Sequence, residues 1–354
     1  MAELSAEATL AAVADAYDLA PPVSSFVLEH AGLNNQNLGV RTAAGDFVVR
    51  THDSLSYRDP ASIQYEHEVL GWLAEQGLPF AVPVPKLTRA QRQSFDGPGG
   101  RMSLAPKLPG MPLALLARER GGFDETASEM LGDATGRLQV TLSRLPTVMR
   151  PGRPLFSELF GFPGQDLDPL AVQPADVGLA ATSELDGLFG WWREQAAQIR
   201  AFAAGPYREL PGQVCHNDVT PNNVLAENGT VTAVLDFEYV TPSARSLDFV
   251  TGLRSVLEYW KDPEPWTAAR AYCRGFARHV RLAEREIAAI PELLRLRAAI
   301  TVLWWMGRAG AGERDNLLAS RLGRVQEQLA WQDRADPALT DVVREALRAS
   351  AGGV

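Results

Sequence analysis

Short runs of alternating apolar and polar residues crowd the first hundred positions of the chain, and stretches of helical periodicity replace them beyond about residue 107. That division constrains the fold more than any other feature, because strands and helices that segregate along a sequence build α+β architectures rather than alternating βαβ units. Phe26–Glu29, Leu38–Thr42 and Phe47–His52 read as strands, the last two joined by Ala44-Gly45-Asp46 as a hairpin turn. Helices are predicted over 5–17 and 61–76, the second with Ile63, Leu70 and Leu73 near one face and Gly77 just past its end. Polar Gln91–Gly100 reads as a loop ahead of a strand at Arg101–Ala105. After Leu108-Pro109-Gly110 come helical patterns at 112–119, 124–144 and 183–203, interrupted from Pro146 to Pro174 by a proline-broken loop or insertion. Everything from about Ser243 to Ala349 looks helical. The expected organisation is an α+β fold: a small N-terminal antiparallel sheet lobe with its helix, residues 1–106, and a larger, mostly helical lobe, residues 107–354.

With 354 residues, 46% hydrophobic and 22% charged, the chain can bury a sizeable core, which excludes wholesale disorder. A net charge of −9 argues against a nucleic-acid partner. The charge is uneven: residues 1–239 carry 29 acidic and 17 basic side chains, and residues 240–354 carry 14 and 17. Cys215 and Cys273 are too few for a disulfide framework and lack metal-ligand spacing. No apolar stretch approaches the roughly 20 residues that span a bilayer, and the N-terminus lacks a signal-peptide pattern. A cytoplasmic monomer or homodimer without a membrane partner is the expectation.

The most informative segment runs from Val214 to Leu225, followed by Val231 to Glu238. His216, Asp218 and Asn223 fit H-x-D-x-x-x-x-N, and Asp236 opens an acidic Asp-Phe-Glu at the end of an apolar strand. Phosphoryl transfer needs these parts: a carboxylate to accept a hydroxyl proton, and oxygen ligands to hold magnesium against nucleotide phosphates. Asp218 is the candidate base, and Asn223 and Asp236 are candidate metal ligands, with Glu238 in support of a second ion or its water shell. Apolar strands on either side of an Asn228-Gly229 turn would hold loop and ligand in fixed relation, and such positioning supplies most of this catalysis.

On these residues the chain resembles the aminoglycoside phosphotransferase family of small-molecule kinases, which includes type II homoserine kinases, choline kinases and macrolide phosphotransferases. The resemblance spans about residues 24 to 310 and is strongest at 213–250. It implies a two-lobed, protein-kinase-like fold, ATP or GTP as phosphoryl donor, Mg²⁺, and a small hydroxylated acceptor, either a metabolite or an antibiotic. Gly32 to Asn37, with Asn35 at its centre, sits where the family has a phosphate-covering loop; an ordinary hairpin turn is the alternative. Arg50, on the strand Phe47-Val48-Val49-Arg50, matches the family's phosphate-binding cation, although its planar fork differs from a lysine ammonium. Glu66 matches the helix glutamate that pairs with that cation, with Glu68 as its competitor. Met102 to Pro106 resembles the hinge whose backbone meets the adenine, here through Leu104 and Ala105. His216 belongs to the catalytic loop, and Asp248 either braces that loop or caps its own helix. Two departures stand out: Asn217 replaces the usual glycine or alanine, adding a polar side chain beside the catalytic loop that is expected to alter the substrate contact, and Gln139 replaces a histidine that supports the loop.

The resemblance places the acceptor against the insertion and the C-terminal helices. Tyr259, Trp260, Trp266, Trp304 and Trp305 either stack on it or fill the core. A polycationic antibiotic would want an acidic pocket, which the basic balance of residues 240–354 does not favour. The alternatives are a homoserine kinase-like amino-acid kinase and a non-catalytic nucleotide-binding relative. A protein kinase is disfavoured because its glycine-rich loop, D-F-G and A-P-E signatures are missing.

Overall fold

The computed structural model describes residues 6–28, 36–52, 60–146, 168, 170–258, 262, 264–310 and 317–349. Helix α1 (Ala6–Tyr17) precedes strands β1 (Ser24–Phe26), β2 (Gln36–Thr42) and β3 (Gly45–Thr51). After helix α2 (Pro60–Ala74) the chain forms the hairpin β4 (Phe95–Gly97) and β5 (Gly100–Pro106). These five strands make one antiparallel sheet in the order β1-β2-β3-β5-β4. The polar segment read as a loop thus contains a strand. Three residues of β4 are too few for alternation to show, and the turn falls at Pro98-Gly99, where Gly99 takes a φ of 84°.

Alternation on β3 aims Phe47 and Val49 at α1, where Val13 and Tyr17 meet them with Val40, Met102 and Leu104 in a small apolar core. The buried face of α2 belongs elsewhere. Tyr65, Val69, Leu70 and Leu73 join the large core of the helical region, so α2 bridges the sheet to the rest of the molecule.

Beyond the sheet come β6 (Met111–Pro112), α3 (Leu113–Glu119), α4 (Glu125–Leu142) and α5 (Ser183–Ala204). Asp124 and Thr182 cap α4 and α5 through side-chain oxygens that accept from Ala127 and Leu185 N–H groups. Then follow β7 (Gly212–Cys215), β8 (Val224–Glu227), β9 (Thr230–Val234) and β10 (Thr241–Ala244). The β8–β9 hairpin turns at Asn228-Gly229, both with positive φ, and takes β6 on its other edge. β10 pairs with β7 and takes in Ser243 and Ala244, where the helical stretch was expected to begin; Pro242 within it is one reason the strand was hidden.

Helices α6 (Arg245–Val256), α7 (Trp266–Ala277), α8 (Glu284–Ala288), α9 (Ile290–Gly310) and α10 (Leu317–Ala349) complete the helical region. α4 and α7 approach until their backbones touch. A Cβ on Gly132 would collide with the Tyr272 carbonyl, and one on Gly275 with the Glu129 carbonyl. Both cysteines are buried and free. No helix among the described residues is long and apolar enough to cross a membrane.

Candidate active site

The β7–β10 pair and the β8–β9 hairpin present the candidate residues from their ends. β7 delivers His216, Asn217 and Asp218, while Asn223 enters β8 and Asp236 leaves β9. The Leu235 N–H donates to the Asn223 carbonyl at 2.7 Å, which joins the two segments just where both ligand candidates emerge.

His216 is fully buried. Its Nδ1 accepts from the Asp218 N–H at 3.1 Å, so the proton sits on Nε2, which donates to the Leu235 carbonyl at 3.0 Å. Burial pushes its pKa down to about 4, and the ring serves as a neutral brace between the loop and the Asp236 strand. Asp248, on α6, accepts from the His216 N–H at 3.0 Å and the Asn217 N–H at 2.5 Å. Its carboxylate therefore braces the loop rather than capping its own helix. Burial raises its pKa to about 6, and those two N–H groups pull against the rise.

Asn217 has a φ of 66°, a region open to glycine and, among other residues, favoured by asparagine. Its amide donates to the Tyr239 carbonyl at 2.9 Å and the Cys215 carbonyl at 3.2 Å, and the side chain is buried. Asn217 thus ties the loop to the β10 side of the molecule. Gln139 is also buried, donating to the Arg245 carbonyl at 2.5 Å and accepting at its own carbonyl from Gln213.

Asp218 uses both oxygens. Asn223 Nδ2 donates to Oδ2 at 2.8 Å, and Arg297 Nη2 donates to Oδ1 at 2.7 Å. Burial raises the Asp218 pKa to about 7; Arg297 opposes that rise, while Asp236 and Glu238 add to it. With Asn223 Nδ2 committed to Asp218, its amide oxygen points the other way.

Asp236 also has positive φ, at 64°, and starts the 3-10 turn Phe237–Tyr239 that brings Glu238 beside it. Arg50 reaches both across the interlobe gap. Its Nη2 lies 2.6 Å from Asp236 Oδ1 and 3.1 Å from Glu238 Oε2, and Nη1 lies 3.4 Å from Glu66 Oε1. Burial works against the Arg50 charge, but the two carboxylates outweigh it and keep the guanidinium protonated. Glu68 is exposed and accepts from Gln64 instead.

The predicted hinge residues are less available. The Leu104 N–H donates to the Tyr17 hydroxyl and its carbonyl accepts from Lys86, while Ala105 pairs with Val48 inside the sheet. Asn35, Tyr259 and Trp260 lie outside the described residues. Trp266 and Trp305 pack against the large core, and Trp304 stays half-buried with the Arg308 guanidinium 4.6 Å above its ring. Sequence reasoning missed Arg297. Its signal was a pair of arginines, Arg295 and Arg297, set among Leu293, Leu294, Leu296 and Ala298, charges that a largely buried helix carries only with partners.

The donor set suits a hard divalent cation. Asp236, Glu238 and the Asn223 amide oxygen are all oxygen donors, and among the described residues no group of three or more His, Cys, Asp or Glu forms a self-contained cage. Magnesium is usually held in that way, by one or two carboxylates completed by substrate phosphates.

The family model of the phosphotransferase enzyme family matches residues 28–290. The homoserine kinase of Caulobacter sp. (strain K31) is 28% identical over 86% of this chain and 88% of its own. Among solved structures, an amicoumacin kinase in complex with AMP-PNP and Ca²⁺ superposes with a TM-score of 0.65 at 17% identity, over 93% of this chain and 94% of its own. An aminoglycoside phosphotransferase from Alicyclobacillus acidocaldarius gives 0.62 at 20% identity, over 98% of both. The two-lobed kinase-like fold that the resemblance implies is therefore present, and this chain belongs to the phosphotransferase enzyme family.

Proposed function

We propose that the protein transfers the γ-phosphoryl group of ATP, with GTP as an alternative donor, to a hydroxyl of a small metabolite, with the nucleotide held between the lobes at 1–106 and 107–354. One observation carries this reading: Asn223 turns its amide nitrogen to Asp218 and its oxygen away from it, in a loop tied to the Asp236 strand at 2.7 Å. Base and cation ligands are thereby fixed with respect to each other.

Mg²⁺ held by Asp236, Glu238 and Asn223 would supply charge neutralisation at the nucleotide phosphates. Arg50 turns from Asp236 and Glu238 to contact those phosphates, with Glu66 keeping hold of its other nitrogen. Asp218 orients the acceptor hydroxyl and takes its proton, while His216 and Asp248 keep the loop from shifting. Because Leu104 and Ala105 spend their backbone groups inside the small lobe, the adenine edge falls to the residues that follow β5. The cation at Arg297 disfavours a polycationic antibiotic; the homoserine kinase relatives make a homoserine-type amino acid the first acceptor to try.

The test is ADP release with an acceptor panel for wild type, Asp218→Asn and Asp236→Ala. Both substitutions are expected to lower kcat by about 10³-fold or more, as loss of a general base or of a metal ligand does, with the thermal midpoint nearly unchanged. An Asp236→Ala enzyme with wild-type turnover overturns the cation assignment.

A further inference from the structure

Arg297 enters the scheme above only as a positive charge, although it touches the side chain on which that scheme turns. Its Nη2 donates to Asp218 Oδ1 at 2.7 Å and its Nη1 to Thr301 Oγ1 at 3.3 Å. A guanidinium has five N–H groups, and of those on Arg297 the Nε–H is buried with no hydrogen-bond partner among the described residues. Unpaired donors on a partly buried arginine are unfavourable, so the side chain is under-satisfied in the absence of a ligand. The two arginines of the site also divide the space around the carboxylates. Arg50 comes from the sheet lobe onto Asp236 and Glu238, and Arg297 comes from α9 onto the far oxygen of Asp218.

Helix geometry extends this observation. Arg297, Thr301 and Trp304 lie at i, i+4 and i+7, on one face of α9, and all three are half-buried, whereas Leu296, Ala298, Val302 and Leu303 beside them are buried. The stripe that begins at the base thus offers a cation, a hydroxyl and then an aromatic surface.

We propose that Arg297 is the acceptor-specificity residue, and that it receives a carboxylate carried by the acceptor close to the hydroxyl that Asp218 deprotonates. This deepens the phosphotransferase reading and rests on it. Distance sets the class of acceptor. From hydroxyl to Asp218, from Asp218 to Arg297 and from Arg297 to carboxylate are three contacts of roughly 2.8 Å each, with about 2 Å more across each of the two side-chain head groups, so the two acceptor groups lie at most about 13 Å apart on a fully extended path and much less where the path bends. A short-chain hydroxy or amino acid spans that gap; a hydroxyl remote from any acid does not. The planar fork can hold Asp218 with one nitrogen and a ligand carboxylate in a bidentate pair with the others, whereas a lysine, a compact point donor, can offer both carboxylates only single contacts. In the absence of acceptor the same pair keeps Asp218 oriented.

The experiment compares wild type, Arg297→Lys and Arg297→Met in ADP release with MgATP and two pairs of acceptors: L-homoserine against 3-aminopropan-1-ol, and 4-hydroxybutyrate against 1-butanol. Each pair differs by the carboxylate. Wild type is expected to favour the acid by at least about 100-fold in kcat/KM. Arg297→Met is expected to reduce that ratio by about 100-fold, chiefly through KM of the acid, with Arg297→Lys in between, in the range known for charged hydrogen bonds. Equal loss of kcat for both members of each pair would show a counter-ion that only steadies Asp218 and would overturn the proposal. So would a wild type that prefers the acid-free alcohols, a result that leaves the phosphotransferase reading intact. Lack of MgATP binding by the folded wild type, read by calorimetry, overturns the phosphotransferase reading itself and the proposal with it.

Discussion

Acidification should unfold this protein through His216 in a way that can be isolated. The imidazole is fully buried, donates to the Leu235 carbonyl and accepts from the Asp218 N–H, so a second ring proton would face an N–H donor. Burial lowers its pKa from 6.5 to about 4. Above pH 6.5 the ring is neutral in the folded and unfolded chains, and its full stabilisation is present. Between 6.5 and 4 only the unfolded chain takes the proton, so stability falls as pH falls; below 4 the loss is complete. A gap of roughly 2.5 units at about 1.4 kcal/mol per unit gives a loss of about 3 kcal/mol. Asp248 acts in the opposite sense, because its raised pKa makes the folded state bind the proton first between 3.8 and about 6. The comparison with His216→Asn removes that contribution, since the variant keeps the backbone N–H that Asp248 accepts and has no titrating ring. Urea unfolding of both proteins from pH 7 to pH 4 reads the difference. The advantage of wild type over His216→Asn should shrink by about 3 kcal/mol over that range. Parallel pH dependence of the two proteins would refute the argument.

Two further substitutions test the scaffold by chemical denaturation. Asn217→Gly keeps the positive φ but leaves the Tyr239 and Cys215 carbonyls without their amide donor, a loss of about 1–2 kcal/mol, whereas Asn217→Ala should lose about 1 kcal/mol more; an alanine variant as stable as the glycine variant would contradict the backbone argument. Gly275→Ala drives a methyl group into the Glu129 carbonyl and should destabilise by about 1–3 kcal/mol, while Gly71→Ala, in open space on α2, should be neutral or stabilising by up to about 1 kcal/mol; a reversed order of the two would contradict the α4–α7 contact.

How far the sequence could be read depended on whether a signal was local. The segregation of strands and helices, the Asn228-Gly229 turn, the long helices and the H-x-D-x-x-x-x-N spacing all arise between near neighbours, and each has its counterpart in the structure. β4 and β10 were hidden, one by its length and one by Pro242. The partners of Arg50 were harder to read, since Asp236 and Glu238 are 186 and 188 residues away and only the fold brings them within reach. For Arg297 the run of leucines around it signals that the charge needs a partner, but no spacing links it to Asp218, so only the fold says which partner that is.

The uneven charge of the chain can now be argued at the scale where it acts. Residues 240–354 are mildly basic, yet most of that charge is spent away from the catalytic carboxylates: Arg245 pairs with Glu286, Arg274 with Glu125, Arg278 with Glu129 and Arg344 with Glu284. Among the described residues of that stretch, Arg297 is the one whose guanidinium pairs with Asp218. If discrimination against cationic acceptors came from the summed field of the helical lobe, it would be screened by salt and fall about tenfold or more between 0.05 and 0.5 M NaCl. A partly buried contact at 2.7 Å lies well inside the Debye length of about 10 Å at 0.1 M, so it is screened far less. The ratio of kcat/KM for L-homoserine over 3-aminopropan-1-ol is therefore expected to change by less than about threefold across that range. A steep fall with salt would return the discrimination to the lobe as a whole and remove Arg297 from its place beside the acceptor.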